Sequence, residues 1–300
     1  MMIKAENVNK SFDGFNALDG LSLNVKKGSV YGLIGPNGAG KTTFIKCLMG
    51  IYRYDSGNIF VDGEVVYENS KLKQRIVYIS DDLFFFTTYS IIEMAKYYSE
   101  IYESWDWGVF EKLKNIFKID VKRKCRRLSK GMQKQVAFWL GICARPDIMV
   151  LDEPVDGLDP VMRRNTWAVI LQEVAERSMT VLVSSHNLRE LEDVCDHVGI
   201  MYNGKVVIEK ALDDVKGEIH KVQIAFKGDT SEKFKEEMDV LHYNKFGSVE
   251  TYIVKGNVDE IKSKAYKYEP LLCDILPLTL EEIFIYELGG MGYEFENIIV

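Results

Sequence analysis

The stretch Gly35-Pro-Asn-Gly-Ala-Gly-Lys41-Thr42 decides the fold. It fits the pattern GxxxxGK[ST], whose glycines let successive backbone N–H groups converge on phosphate oxygens without Cβ clashes. An apolar run over 29–34 precedes it, and a helical pattern over 41–49 follows it and ends at Gly50. A strand, a tight turn and a helix in this order predict the first βαβ unit of a phosphate-binding α/β domain.

The residues of this loop have expected roles in binding a nucleoside triphosphate. The following helix directs the positive end of its dipole at the same anion. Lys41 is expected to reach the β- and γ-phosphates, and the Thr42 hydroxyl is expected to bind Mg²⁺. The nucleotide-contacting residues predicted along the loop are Gly35, Asn37, Gly38, Ala39, Gly40, Lys41, Thr42 and Thr43.

Two carboxylates, Asp152 and Glu153, follow a second apolar strand pattern over 148–151. Ligands of a parallel sheet bind beyond the carboxyl ends of its strands, so both acids are expected at the phosphate site. Asp152 suits the Mg²⁺ shell. Glu153 suits polarising the attacking water, because phosphoryl transfer depends on in-line positioning and charge stabilisation. Taken alone, the pair also fits a strand-end turn with solvated acids, and the phosphate loop argues against that alternative.

Composition excludes several classes of protein. The 300 residues are 47% hydrophobic and 28% charged, which indicates a globular chain and not a disordered one. There are 38 basic and 45 acidic residues, so the net charge of −7 disfavours nonspecific binding to nucleic acid. No apolar run reaches the roughly 18 residues of a membrane span, and the first residues lack the apolar core of a signal peptide. Five scattered cysteines without a CxxC spacing suit a reducing cytoplasm.

Alternating strand and helix patterns organise the chain up to about residue 216. The strand patterns cover 2–9, 21–34, 148–151 and 180–184, and the main helical patterns cover 91–103, 107–117 and 130–144. This alternation predicts an α/β fold with a mostly parallel sheet covered on both faces. The rest reads strand, helix, strand, strand, helix, strand, with a last helix over 280–288, which is the order of a small ferredoxin-like α+β domain. The predicted domains are 1–216, with a helical lobe over about 82–145, and 217–300.

Further motifs make the chain resemble the ABC ATPases, a class of P-loop NTPases. Leu128-Ser-Lys-Gly-Met-Gln133 resembles the signature motif of that family, and Gly157-Leu-Asp159 resembles its D-loop. His186 stands where the family has its switch histidine, and Phe12 resembles the aromatic residue that stacks on adenine. The tail Thr279-Leu-Glu-Glu-Ile-Phe284 is similar to the end of ATPases in the ABC-2 exporter group, which serves bacterial drug and peptide exporters.

The resemblance implies ATP hydrolysis with Mg²⁺ in a head-to-tail dimer. Ser129 and Gly131 of one chain would cover the γ-phosphate bound by the other, and Asp159 would also contact nucleotide. His186 would hold Glu153 and the attacking water in place. The second ATPase subunit would be an identical or a related chain.

The resemblance also implies a membrane partner. An integral membrane subunit would form the transport path and dock near the aromatic stretch between Asp81 and Tyr89 and on the helical lobe. The chain would then lie at the cytoplasmic face of the membrane, bound through that subunit. No nucleic-acid partner is expected.

Two positions depart from the family pattern. Asp81 stands where the family has a Gln at the lobe hinge. It is expected either to offer an oxygen to Mg²⁺ or water, or to be a solvated loop acid. Lys130 replaces the common Gly of the signature, and it is expected either to contact phosphate in trans or to extend outward. Neither change affects Lys41 or Glu153, so hydrolysis is still predicted.

Other functions remain open at this point. A soluble ABC ATPase acting on the ribosome or nucleic acid is the alternative to an exporter. Ribosome-acting forms resemble two cassettes in one chain, whereas this chain has one. DNA-repair forms carry a long coiled coil between the phosphate loop and the signature, and the segment between Lys41 and Ser129 is too short for it. Intact Glu153 and His186 argue against a non-hydrolysing module. The C-terminal domain fits a dimer contact, a regulator or a stabilising prop, and the basic run 122–127 fits a solvated face, a nucleotide contact or an anionic lipid contact.

Overall fold

The computed structural model describes residues 1–155, 157–212, 214, 219–226, 231–279, 281–283 and 285–286. The chain divides into two compact units, Met1–Glu209 and Lys210–Val300. The domain boundary predicted at residue 216 lies outside the described residues. So do Leu280 and Phe284 of the predicted tail motif and parts of the helix predicted over 280–288.

Strands β1 to β10 and helices α1 to α6 belong to the described part of the first unit, except that the last two residues of β10 fall beyond Glu209. The strands are β1 (Ile3–Phe12), β2 (Phe15–Val25), β3 (Val30–Ile34), β4 (Ser56–Val61), β5 (Glu64–Val65), β6 (Ile76–Ile79), β7 (Ile148–Asp152), β8 (Thr180–Ser185), β9 (His197–Tyr202) and β10 (Lys205–Ala211). The helices are α1 (Lys41–Leu48), α2 (Ser70–Lys73), α3 (Ile91–Ile101), α4 (Trp107–Phe117), α5 (Lys130–Cys143) and α6 (Pro160–Arg177).

A six-stranded sheet in the order β10-β9-β3-β8-β7-β6 forms the centre of this unit. The pairs β3–β8, β3–β9, β6–β7 and β7–β8 are parallel. Every residue of β3, β7 and β8 is buried, as expected for parallel strands covered on both faces. The predicted mostly parallel α/β core is confirmed, and the carboxyl ends of β3, β7 and β8 meet at one edge.

A second, antiparallel sheet in the order β2-β1-β4-β5 packs its apolar residues into the same core as the central sheet. The strand region predicted over 21–34, with apolar runs ending at Gly28 and Gly35, contains two strands. They are the end of β2 and the whole of β3, which belong to different sheets. Gly28 lies between them with a φ of +70°, a left-handed conformation that interrupts the extended chain.

Helices α3, α4 and α5 form the helical lobe, and each begins at a side-chain cap. Ser90 and Glu93 form a capping box at α3, Asp106 caps α4 and Ser129 caps α5. The fully buried Trp139 of α5 stacks on Phe110 of α4 at a centroid distance of 4.6 Å, and its Nε1 donates to the Phe110 carbonyl at 3.0 Å. An aromatic core therefore joins the helix that carries the signature motif to the rest of the lobe.

The second unit is a small α+β domain. Its elements are β11 (Ile219–Ala225), α7 (Ser231–Glu236), β12 (Asp239–Phe246), β13 (Val249–Lys255), α8 (Val258–Tyr266) and β14 (Leu272–Leu276). The strands form an antiparallel sheet in the order β12-β13-β11-β14, around a core that includes Phe234, Tyr252 and Ile261. This is the element order that the sequence predicts for a ferredoxin-like domain. None of the helices in the described part of the chain combines the length and the hydropathy of a membrane-spanning segment.

Candidate functional site

The phosphate loop connects β3 to α1 and requires glycine at two positions. A Cβ on Gly35 would collide with the carbonyl oxygen of Met201. Gly40 precedes α1 with a φ of +106°, and a Cβ there would collide with the Ala17 carbonyl oxygen. The loop is thus packed tightly between β2 and β9, and its backbone leads directly into the N-terminus of α1, where an anion is favoured.

Lys41, the first residue of α1, folds over this loop. Its Nζ donates to the carbonyl oxygens of Gly35 at 2.6 Å and Pro36 at 3.2 Å, and it lies 3.4 Å from Glu153 Oε1. Only 6% of the residue is exposed. Burial lowers the pKa of Lys41, and the neighbouring Glu153 and Asp152 carboxylates oppose that shift. A desolvated cation with a nearby counter-charge is therefore available beside the loop.

Asp152 ends β7 and is buried among hydroxyl groups. It accepts hydrogen bonds from Ser184 Oγ at 2.6 Å, Thr42 Oγ1 at 3.2 Å and Tyr78 OH at 3.5 Å. Its position beside Ser184 follows from the parallel register of β7 and β8. The pKa of Tyr78 is raised, mainly by burial and then by the charge of Asp152. Two oxygen ligands of the kind that Mg²⁺ prefers, from Thr42 and Asp152, therefore lie together at the end of the loop.

Glu153 connects Lys41 to His186. Its Oε2 lies 2.9 Å from His186 Nδ1 and accepts from the His186 backbone N–H at 3.4 Å. Its own backbone N–H donates to Ser184 Oγ at 3.2 Å. Glu153 adopts a φ of +46°, which is unfavourable for a residue with a side chain. Several contacts thus hold a strained residue with its carboxylate between a lysine and a histidine.

A cleft of about 410 Å³ brings most of the predicted site residues together. The predicted residues that line it are Phe12, Asn37, Gly38, Ala39, Gly40, Lys41, Thr42, Thr43, Asp81 and Glu153. Phe15 and Ala17 also line it and were not predicted. The sequence does carry a signal for Phe15, because the Asp13-Gly14 turn predicts a hairpin that brings Phe15 opposite Phe12. The two residues are paired in the β1–β2 ladder.

Phe12 lines this cleft and is 39% exposed. The Phe12 ring packs edge-on against Tyr52 with a distance of 5.3 Å between ring centroids, and Lys10 Nζ lies 5.0 Å from the centroid of the Phe12 ring. Asp55 fixes the strand end before it by accepting from the Ser11 backbone N–H at 2.6 Å and from Lys10 Nζ at 2.9 Å. These hydrogen bonds lower the pKa of Asp55 to about 2. A partly exposed aromatic ring therefore lines the same cleft as the phosphate loop.

The signature and D-loop residues lie near one another and not in this cleft. Ser129 caps α5 by accepting from Met132 N at 3.3 Å, and Asp159 caps α6 by accepting from Val161 N and Met162 N. A Cβ on Gly131 would come within 2.9 Å of the Gly157 carbonyl oxygen. Within the part of the chain that the structure describes, Ser129, Gly131 and Asp159 do not line the cleft that holds Lys41.

Asp81 and Lys130, the two departures from the family pattern, have different surroundings. Asp81 lines both the cleft that contains Lys41 and an adjoining cavity of about 410 Å³. Its Oδ1 lies 3.2 Å from Nζ of Lys134, a buried lysine of α5 that no sequence motif singles out. Lys130 is exposed and lines the adjoining cavity only.

The sequence is similar to a known family and to named relatives. The family described as ABC transporter matches residues 18–156. The chain is 33% identical over 289 residues to the ABC transporter ATP-binding protein YtrB of Bacillus subtilis, covering 96% of this chain and 99% of that protein. It is 28% identical over 302 residues to the bacitracin transport ATP-binding protein BcrA of Bacillus licheniformis, covering 96% and 98%.

Solved structures agree on the fold. A dimeric ATP-binding cassette in a post-hydrolysis state, bound to ADP and phosphate, superposes with a TM-score of 0.64 at 19% identity, covering 70% of this chain and 99% of the other. At that identity the likeness concerns the fold alone. The extensive match to YtrB shows more, and the chain belongs to the ATP-binding proteins of ABC transporters.

Proposed function

We propose that this chain is the ATP-hydrolysing subunit of a bacterial ABC exporter and that its reacting centre is the group Lys41, Glu153 and His186. The observation that carries the proposal is the continuous set of contacts from Lys41 Nζ through the Glu153 carboxylate to His186 Nδ1, beside the phosphate loop. A carboxylate held in this way can orient and polarise a water for in-line attack on a γ-phosphate. His186 restrains that carboxylate, and Lys41 supplies positive charge for the phosphates.

ATP would be held along its length by the cleft residues. Phe12 would offer a ring face to the adenine, and the backbone N–H groups of the loop would bind the phosphates. Among the described residues no group of three or more His, Cys, Asp or Glu side chains is arranged to hold a metal. The Thr42 hydroxyl and the Asp152 carboxylate instead fit a Mg²⁺ whose remaining ligands are phosphate oxygens and water, with Asp81 as a further candidate. Bound Mg²⁺ would neutralise phosphate charge.

A head-to-tail dimer would complete the site. Ser129, Gly131 and Asp159 lie outside the cleft of their own chain, while the N-terminus of α5 is suited to an anion. If a second subunit presents these residues to the bound γ-phosphate, two nucleotides are enclosed at a symmetric interface. The dimeric cassette of the same fold supports this arrangement.

The stretch between Asp81 and Tyr89 is proposed to dock an integral membrane subunit. Phe84 is 76% exposed, and its ring contacts Phe86, which packs against Tyr97 of α3. A partly exposed aromatic cluster beside a helical lobe suits a helix laid into a groove. Such docking would hold the chain at the cytoplasmic face of the membrane.

The proposed cargo is a peptide, drug or other amphipathic compound. Two relatives carry names that specify bacitracin transport and linearmycin resistance, and a third is named for lantibiotic transport. Action on the ribosome or nucleic acid, the alternative function, finds no support among these names, and the acidic net charge of −7 also disfavours it.

ATP-dependent dimerisation tests the proposed site. The Glu153→Gln protein should shift from monomer to dimer in light scattering when ATP and Mg²⁺ are added. The same protein with Lys41→Ala added should remain monomeric, because the phosphates lose their buried cation. If the Glu153→Gln protein stays monomeric with and without ATP and Mg²⁺, the shared site is contradicted. If the protein that also carries Lys41→Ala still dimerises, dimerisation does not depend on the phosphate loop.

A further inference from the structure

Lys134 of α5 is a buried cation beside the reacting centre. It lies five positions after Ser129 on the helix that carries the signature motif, and its side chain is 8% exposed. Its Nζ donates to the backbone carbonyl oxygen of Glu153 at 2.9 Å and to Asp81 Oδ1 at 3.2 Å. Among the described residues these are its two hydrogen-bond partners. A desolvated ammonium group is unfavourable unless it is paired and hydrogen-bonded, so both contacts are needed to keep it buried.

Glu153 is the residue that most needs such support. Its φ of +46° persists only if the surroundings hold it. Ser184 Oγ fixes its backbone N–H, and His186 with Lys41 fixes its carboxylate. Lys134 is the contact that fixes its carbonyl group, and through it the peptide plane that follows the catalytic side chain.

Asp81 is the partner of Lys134 that solvent reaches. Its carboxylate is 60% exposed, whereas its partner Lys134 is buried. Asp81 also lines both the cleft that contains Lys41 and the adjoining cavity that contains Lys130. Asp81 therefore contacts Lys134, the lysine that holds Glu153, and also lines the cleft proposed to bind ATP.

We propose that Lys134 is a positioning residue for ATP hydrolysis, which anchors the main chain of Glu153, and that Asp81 acts through Lys134 to link the helical lobe to the reacting centre. The proposal rests on the function proposed above for Glu153. It assigns Asp81 a role that does not require direct contact with a metal ion. The pair is one unit, so removal of both partners should cost no more than removal of Lys134 alone.

Kinetics separate positioning from binding. Lys134→Met keeps an unbranched side chain that is one atom shorter and removes its charge and donors. We expect kcat for ATP to fall about ten- to hundredfold, since small misplacements of a reacting group have effects of this size, while the Kd for ATP changes less than about twofold. Lys134→Arg should recover part of kcat, because the donors are restored. The control is Lys112→Met on α4, an exposed lysine of the same lobe.

A double-mutant cycle tests the link to Asp81. Asp81→Asn alone should lower kcat, and the variant with both Asp81→Asn and Lys134→Met should match Lys134→Met within about threefold. Multiplicative losses would give Asp81 an independent role and overturn the coupling. An unchanged kcat in Lys134→Met, or a loss that is confined to Kd, would overturn the positioning role.

Hydrogen exchange supplies a readout that does not depend on turnover. Lys134→Met should raise amide exchange in the peptide that spans 151–159, and Lys112→Met should leave it unchanged. Equal exchange in the wild-type protein and Lys134→Met would refute the anchoring contact. If the wild-type chain does not hydrolyse ATP, the proposed function fails by that result, while exchange still decides whether Lys134 anchors Glu153.

Discussion

Glu153→Gln should abolish hydrolysis and preserve nucleotide binding. Glutamine has nearly the same shape and retains one oxygen acceptor for His186, which lies 2.9 Å away. It removes the negative charge 3.4 Å from Lys41 and the capacity to accept a proton from water. A positioned general base contributes about 10²- to 10⁴-fold to a rate. At about 1.36 kcal/mol per factor of ten, the barrier should rise by roughly 3–5 kcal/mol.

Phosphate release under single-turnover conditions is the direct assay, with fluorescent-nucleotide binding measured on the same preparations. The Kd for ATP should hold or decrease, because a carboxylate that repels the phosphates has been neutralised. Glu111→Gln, an exposed glutamate on α4, is the matched control and should hydrolyse ATP like the wild type. Hydrolysis by Glu153→Gln within about threefold of the wild-type rate would refute the role given to this residue.

Three further perturbations examine separate parts of the site. Phe12→Ala should weaken ATP binding by about 1–3 kcal/mol through lost stacking on the base, and binding of tripolyphosphate should not change. Equal losses for both ligands would contradict a stacking role. Gly35→Ala should lower the free energy of unfolding in urea by about 1–3 kcal/mol, because the new Cβ collides with the Met201 carbonyl oxygen; unchanged stability would show that the loop has more room. The pKa of Asp55 is lowered on folding to about 2, so its hydrogen bonds stabilise the fold above about pH 4, and that contribution is lost as the pH falls toward 2. Carbon NMR of the Asp55 carboxyl should show no titration near pH 4, and an inflection there would contradict the pairing with Lys10 and Ser11.

The sequence predicts the local elements of this fold well because their signals are local. Ser90, Asp106 and Ser129 stand directly before periodic apolar stretches, and the three lobe helices begin immediately after them. The assignment of strands to sheets is not local. The strand pattern over 21–34 breaks at Gly28, but nothing local shows that its two halves join different sheets. The end of β2 pairs with the adjacent β1, whereas β3 pairs with β8 and β9 far along the chain.

In the candidate site, too, residues with a local sequence signal were predictable and residues defined by distant contacts were not. Lys41, Thr42 and Glu153 follow from motifs with a known spacing, and the cleft brings them together. Lys134 and Tyr78 could not be predicted, because a lysine in a helix and a tyrosine in a strand gain their meaning from what they face. Lys134 bonds to the Glu153 carbonyl oxygen, and Tyr78 to Asp152, across distances in the sequence that no motif spans.

The central claim is that this ATPase serves a membrane exporter, and co-purification from the native host tests it most directly. Tagged Glu153→Gln protein would be isolated from membranes in mild detergent with ATP and Mg²⁺, beside the same protein carrying Phe84→Glu. The account predicts a multi-span membrane protein in near-equal amount with the first and its loss with the second, because a charge in the exposed aromatic cluster opposes docking. Recovery of ribosomes or nucleic acid without any membrane subunit would contradict the account.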